Sequence, residues 1–268
     1  MSADKKRNLP VGVFDSGVGG ISVLREMVRI LPAEDFVFFG DSANAPYGTK
    51  SQEEVRQLTM EGVCRLCSWR GKGIKAVVIA CNTATSAAIT LLRETFTQMP
   101  VIGIEPALKP AVQVKEHPNV VVLATPSTVK GEKFHHLVSS FGGNANVIPI
   151  GCPGLMEFVE QGIFEGEEVE ALLQKLLEPV KDMHVDVAVL GCTHYPFLKK
   201  SIRNVFGPDT LILDGSEGTA RQLGRRLSQE GLLRADDGRR GTVEFDMSLP
   251  DKEALCRKLM ELPEQYCL

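Results

Sequence analysis

An α/β fold with two doubly wound, mostly parallel sheets is predicted by three features of the sequence. Short runs rich in Val and Ile alternate with longer amphipathic stretches. Two of those runs recur at a nearly constant offset. A composition of 43% hydrophobic and 24% charged residues over 268 positions suits a chain with a large core, since about 70–75% of the unfolded surface is buried at this length. One large or two small domains fit that size.

In order, VGVFDSG (11–17) reads as a strand before the helix ISVLREMVRILP. DFVFFGDS precedes a helix expected over Gln52–Trp69, and KAVVIACNT precedes ATSAAITLLRETF. The alternation resumes with VVVLATPS before TVKGEKFHHLVSSFG, and with VDVAVLGCTH before YPFLKKSIRNVFG. Strand, loop and helix in this repeat cover a parallel sheet on both faces. Gly17, Gly19 and Gly20 suggest a phosphate loop. However, Ser22 stands where a dinucleotide fingerprint needs its last Gly, and Val18 where a Walker lysine belongs. A tight turn with close approach to a carboxylate is the better reading.

The internal echo carries the chemistry. Lys75–Thr83 (KAVVIACNT) and Asp186–His194 (DVAVLGCTH) are both buried strands ending in Cys and two polar residues, the cysteines 111 positions apart. VGVFDS, ending at Asp15 and Ser16, and VVVLAT, ending at Thr125, repeat a strand with a polar end, Asp15 and Thr125 being 110 positions apart. Two related halves are expected. Ligands of open parallel sheets bind beyond the carboxyl ends of the strands, so each motif ends where a site belongs. If the halves face one another, Cys81 and Cys192 occupy opposite walls of a cleft. A thiol ionising near about pH 8.5 moves toward neutrality at a helix N-terminus or beside a cation, and helices are expected to start after Ser16, Asn82 and Thr193. Two such groups could remove a proton from one face of a carbon acid and return one to the other.

Blander readings exist for each residue. A strand-end Cys is commonly a small buried residue, Asp15 could cap a helix starting near Gly19, and His194 could be a core histidine. No second ligand lies at metal-binding spacing from His194. Cys64 and Cys67 form a C-x-x-C late in a helix without a partner pair and read as core or helix-surface residues. Cys152, Cys256 and Cys267 have no base beside them in sequence and are assigned no role.

Thirty Lys and Arg against 34 Asp and Glu give a net charge of −4, and aromatics make up 6%. Neither favours a nucleic-acid surface. The leader MSADKKRNLP lacks signal-peptide form. The most apolar window, Ala76–Leu92, holds Asn82, Thr83, Thr85 and Ser86 at its centre and is a poor membrane span. Seven cysteines without a secretion signal favour reduced thiols. A cytoplasmic protein, away from membranes, is expected.

The motifs VGVFDSGVGGISVL (11–24), GDSANAPYG (40–48), ACNTAT (80–85), GIEPA (103–107), GCPGLMEFVEQG (151–162), LGCTHYP (190–196) and DGSEGTA (214–220) occur in this order. The sequence thereby resembles the glutamate racemases of the cofactor-independent aspartate/glutamate racemase superfamily along almost its whole length. The resemblance implies interconversion of L- and D-glutamate without cofactor or metal, supplying D-glutamate for peptidoglycan. It implies Cys81 and Cys192 as the catalytic acid/bases, Cys192 taking the α-proton of L-glutamate and Cys81 that of the D-enantiomer. Asp15 assists on the Cys81 side, His194 on the Cys192 side, and Glu160 helps near His194, with Glu157 one turn earlier as the competing position. Substrate-binding groups fall on Asp15, Ser16, Tyr47, Gly48, Asn82, Thr83, Thr125, Thr193 and His194. Donors at helix N-termini and an acceptor such as Asp15 would meet the two carboxylates and the ammonium of glutamate.

The resemblance also implies a discontinuous first domain, 1–104 plus 214–268, a second domain 105–213, an active site in the cleft between them, and a homodimer. Many relatives carry Arg where this chain has Asn44, which removes a cation from a loop at the mouth of the site. The alternatives are a sister racemase acting on aspartate or another small acid, or a non-catalytic ligand-binding or regulatory protein of the gyrase-binding type. The sister enzymes usually carry Glu where this chain has His194.

Overall fold

The computed structural model describes residues 3–235 and 238–263. The chain divides into two compact units, one comprising the residues up to Ile104 with Ser216–Met260, the other chiefly Glu105–Gly215. Each holds one wholly parallel sheet with helices around it.

The first unit contains β1 (Val11–Asp15), β2 (Phe36–Gly40), β3 (Ala76–Ile79), β4 (Val101–Gly103) and a fifth strand late in the chain, β9 (Val243–Met247), in the order β4-β3-β1-β2-β9. The three inner strands are buried along their whole length, which is why they read as unbroken apolar runs. Phe14, Val37, Phe39, Val77 and Ile79 pack on one face with Val55, Val63, Ala84, Ala88 and Leu92 of the helices Gln52–Cys67 and Asn82–Thr95. The helix Ile21–Ile30 packs against Ser216–Gln229. β9 is not among the strands read from the sequence. Four of its five residues are half-buried, as befits an edge strand, and Arg65 clamps it through both oxygens of Asp246 at 2.6 Å. At the amino ends of the strands, Lys75 and Glu34 form a buried ion pair. The Lys75 ammonium also donates to the Arg7 carbonyl at 2.7 Å, and Glu34 accepts the Arg234 N–H at 2.7 Å.

The second unit contains β5 (Asn119–Ala124), β6 (Asn146–Gly151), β7 (Val187–Leu190) and β8 (Leu211–Asp214), in the order β6-β5-β7-β8. Val120, Val122, Val187 and Val189 share a core with Leu108, Ala111, Phe134 and Leu137. Pro149 lies in β6, an edge strand, where a missing N–H is tolerated. The order β2-β1-β3-β4 in the first sheet and β6-β5-β7-β8 in the second is the same topology, so the sequence echo corresponds to equivalent strands. In both, the chain winds one way from the first strand and then the other, and the reversal falls between β1 and β3, or β5 and β7. Crevices for ligands open at such reversals.

Candidate active site

In the first unit, Asp15 ends β1 and Cys81 follows β3, so both sit where the strand order reverses. Cys81 is the N-cap of Asn82–Thr95, and its sulfur accepts the Ala84 N–H at 3.4 Å. The Ser16 hydroxyl donates to the same sulfur at 3.3 Å. A helix N-terminus and a hydroxyl aimed at one sulfur are an arrangement that stabilises negative charge there. Asp15 is wholly buried, with Oδ1 accepting the Gly17 N–H at 2.9 Å.

The helix after Ser16 begins at Ile21, as the run ISVLREMVRILP suggested, after a turn through Gly17–Gly20, and Gly20 is its N-cap. The N-cap position is therefore filled by Gly20 and not by Asp15. Gly20 has a further use, since a Cβ there would stand 2.6 Å from the Cβ of Asp15. Asn82 and Thr83 are both buried in the first turn of Asn82–Thr95, and Asn82 Oδ1 lacks a hydrogen-bond partner. A buried orphan acceptor beside a thiol suits a ligand's ammonium or other donor.

Tyr47 and Gly48 lie in a loop organised by Asp41, which sequence reasoning did not single out. Asp41 accepts the Tyr47 hydroxyl at 2.7 Å and the Asn44 amide at 3.1 and 3.0 Å, and its own N–H donates to the Asp15 carbonyl at 3.0 Å. Asn44 thus gives this carboxylate a neutral donor. Burial first, then the Asp41 contact and the charges of Cys81 and Asp15, push the Tyr47 phenol far above its ordinary value. It remains a donor.

In the second unit, Thr125 ends β5 and Cys192 follows β7, again at the reversal. Thr125 caps Pro126–Lys130 through the Thr128 N–H at 3.3 Å. Thr193 is buried. No α-helix starts at Thr193. The chain turns with the Tyr195 N–H on the Cys192 carbonyl, passes through a 3-10 segment, Tyr195–Leu198, and becomes helical at Lys199. Cys192 consequently has no helix N-terminus and depends on side chains. Its sulfur lies 3.7 Å from His194 Nδ1, and His194 Nε2 is 2.9 Å from Glu160 Oε1. Burial opposes charge on this imidazole, but the hydrogen bonds to Cys192 and Glu160 outweigh it and hold its pKa well above the usual histidine value. The charged form of the ring is thereby favoured between the Cys192 sulfur and the Glu160 carboxylate. Glu160 is at the end of Leu155–Glu160 and half-buried, whereas Glu157 is exposed.

The remaining cysteines differ. Burial pushes the Cys152 thiol up to about 12 and Cys67 up to about 11. Cys64 is exposed, Cys256 is buried against Met247, and Cys267 lies outside the described residues. The helix bearing Cys64 and Cys67 ends at Cys67, two residues short of the expected Trp69, with a 3-10 turn continuing from Trp69. Among the described residues, no group of three or more His, Cys, Asp or Glu is placed to hold a metal ion, and no helix is long and apolar enough to cross a membrane.

The family model for Asp/Glu/Hydantoin racemases matches residues 11–223. The chain is 49% identical to a glutamate racemase of Clostridium novyi over 93% of this chain and 95% of that one. In structure it is similar to the glutamate racemase isoform RacE1 of Bacillus anthracis, with a TM-score of 0.83, 31% identity and coverage of 95% and 93% of the two chains. It is also similar to the Francisella tularensis glutamate racemase solved in complex with D-glutamate, with a TM-score of 0.80, 29% identity and coverage of 97% and 96%. With a buried thiol at each strand reversal and this likeness along the chain, the protein belongs to the Asp/Glu/Hydantoin racemase family.

Proposed function

We propose that the protein interconverts L- and D-glutamate by moving the α-proton between two cysteine thiols, without a cofactor. The observation that carries this reading is the matched pair of strand-end thiols, each buried and each furnished with a partner for its proton or its charge. From L-glutamate, Cys192 as the thiolate removes the proton while Cys81 as the thiol delivers one; the D-enantiomer reacts with the roles reversed. The His194 imidazolium, anchored by Glu160, balances charge on the Cys192 sulfur. Asp15 and Ser16 serve the Cys81 side.

Substrate recognition is assigned to Ser16, Tyr47, Gly48, Asn82, Thr83, Thr125 and Thr193, with Asp15 and His194 doing double duty. Hydroxyls, amides and backbone donors of this kind suit two carboxylates, and the Asn82 acceptor suits the ammonium. The weakly acidic α-carbon requires fixed dipoles to hold carbanion-like charge in the absence of an electron sink. The product would feed peptidoglycan synthesis in the cytoplasm, where thiols stay reduced, and the working form is proposed to be a homodimer.

The test is racemisation followed by circular dichroism with L-glutamate, D-glutamate and both aspartates, without added pyridoxal phosphate or metal. Loss of optical rotation with glutamate alone is expected. Turnover of aspartate in preference to glutamate would contradict the substrate assignment.

A further inference from the structure

The motifs that carry the resemblance end at residue 220, and β9 begins only at Val243. The strand is nevertheless fastened firmly to the first unit. Besides the Arg65 clamp on Asp246, the Phe245 ring meets Phe38 edge-on at 6.3 Å and lies under the Arg257 guanidinium at 5.1 Å. Met247 closes on β2, since a Cβ at Gly40 would stand 2.5 Å from the Met247 Cε and 2.7 Å from the Gly17 carbonyl. Ser248 comes next. Its N–H donates to the Gly40 carbonyl at 3.0 Å, and its hydroxyl oxygen accepts the Ala43 N–H at 2.9 Å. The two bonds bracket Asp41 and Ser42.

Asp41 is the N-cap of the 3-10 turn Ser42–Asn44, a position where a carboxylate ordinarily accepts the N–H of the second or third residue. It does not do so here. Its oxygens instead accept the Tyr47 hydroxyl at 2.7 Å and the Asn44 side-chain amide at 3.1 and 3.0 Å. The second residue of the turn is Ala43, and its N–H goes to Ser248, 205 positions along the chain. Ser248 thus supplies the cap that Asp41 withholds. Without that hydroxyl the Ala43 N–H would be an orphan donor at the start of the turn, and the Asp41 carboxylate would be drawn to it and away from Tyr47.

We propose, on the reading that Tyr47 binds substrate, that Ser248 is a positioning residue for that side chain. It caps the Ser42–Asn44 turn from the far end of the chain and leaves Asp41 free to hold the Tyr47 phenol. The Asp41 backbone is tied separately to β1, through its N–H on the Asp15 carbonyl at 3.0 Å. Its side chain can therefore turn toward Ala43 and release Tyr47 without moving Asp15. Loss of the Ser248 hydroxyl acts on binding and not on proton transfer.

The test combines steady-state racemisation of glutamate with the NMR shift of the Tyr47 phenolic carbon in protein carrying isotopically labelled tyrosine, assigned among the three tyrosines by Tyr47→Phe. In Ser248→Ala, KM for both enantiomers is expected to rise about threefold to tenfold, the range for one neutral hydrogen bond, while kcat stays. The Tyr47 resonance is expected to move. Ser248→Thr, which keeps the hydroxyl, should match the parent in both readouts. Ser248→Val, which has the shape of Thr without the hydroxyl, should repeat the Ala result, and it provides the measurement if the Ala variant does not fold. A Tyr47 resonance unmoved by loss of the hydroxyl overturns the proposal, whatever happens to activity. So does an unchanged KM in Ser248→Ala where Tyr47→Phe raises it. An unchanged KM in both variants would remove Tyr47 from the substrate assignment, and the proposal with it.

Discussion

The two thiol environments solve one problem with different materials. Around Cys81 the sulfur meets the first turn of a helix and the Ser16 hydroxyl. Around Cys192 it meets a histidine tied to a carboxylate. The same strand topology underlies both, so the difference arises in the few residues after the strand. Asn-Thr-Ala continues directly into a helix, whereas Thr-His-Tyr-Pro turns away and brings a ring back to the sulfur. A backbone dipole cannot change its charge with pH, but a histidine pair can. The Cys192 side should therefore be the more sensitive to single substitutions and to pH.

Replacing either sulfur should have the largest effect. Cys81→Ala and Cys192→Ala are each expected to lower the racemisation rate by roughly 10³–10⁴-fold, the upper range for loss of a general acid or base. Similar losses would establish that the two sides are equivalent in need, and normal turnover by either variant would break the comparison. His194→Asn comes next, with kcat lowered about 10²-fold. Glu160→Gln should lower it about tenfold, as expected for loss of a charge-assisted hydrogen bond. A Glu160 effect larger than that of His194 would place the carboxylate, and not the ring, against the reacting sulfur. Ser16→Ala should cost only several-fold, since the helix N-terminus still serves Cys81.

The histidine also makes stability depend on pH in a defined direction. Its pKa is raised on folding. The stability it contributes is therefore complete below about pH 6.5, the unfolded value, and is lost as pH rises through the folded value. In urea titrations, the gap between the parent protein and His194→Gln should be widest on the acid side of about pH 6.5 and narrow with rising pH. A gap that widens with pH would mean the buried ring is neutral.

Much of this was legible in the sequence because buried parallel strands leave plain signals. β1, β2, β3, β5 and β7 lie within the apolar runs read as strands, whereas β4, β6, β8 and β9 are all edge strands that no run announced. β9 was not foreseen, since its half-exposed residues alternate Val243, Phe245 and Met247 with acidic ones and resemble a loop flank. Cys81, Cys192, Asp15 and His194 stand out because each ends a strand or follows one closely. Glu160 is not adjacent in sequence to its partner, and only the resemblance pointed to it; the structure places it 2.9 Å from His194. Asp41 was visible within GDSANAPYG, yet its role depends on a contact to Tyr47 that no spacing rule encodes. The helix expected after Thr193 fails for a local reason. YPFL takes a tighter 3-10 turn, and the α-helix begins only at Lys199.

The central claim is that two different groups exchange protons with the two faces of the α-carbon. L-glutamate incubated in D2O and sampled early, before appreciable back-reaction, tests it most directly through the isotopic content of both enantiomers. The account predicts that newly formed D-glutamate carries solvent deuterium at the α-carbon, while the remaining L-glutamate keeps its proton. Early D-glutamate that retains the substrate's proton, or L-glutamate that exchanges ahead of racemisation, would mean that a single base serves both faces, and the assignment of Cys81 and Cys192 as partners would be wrong.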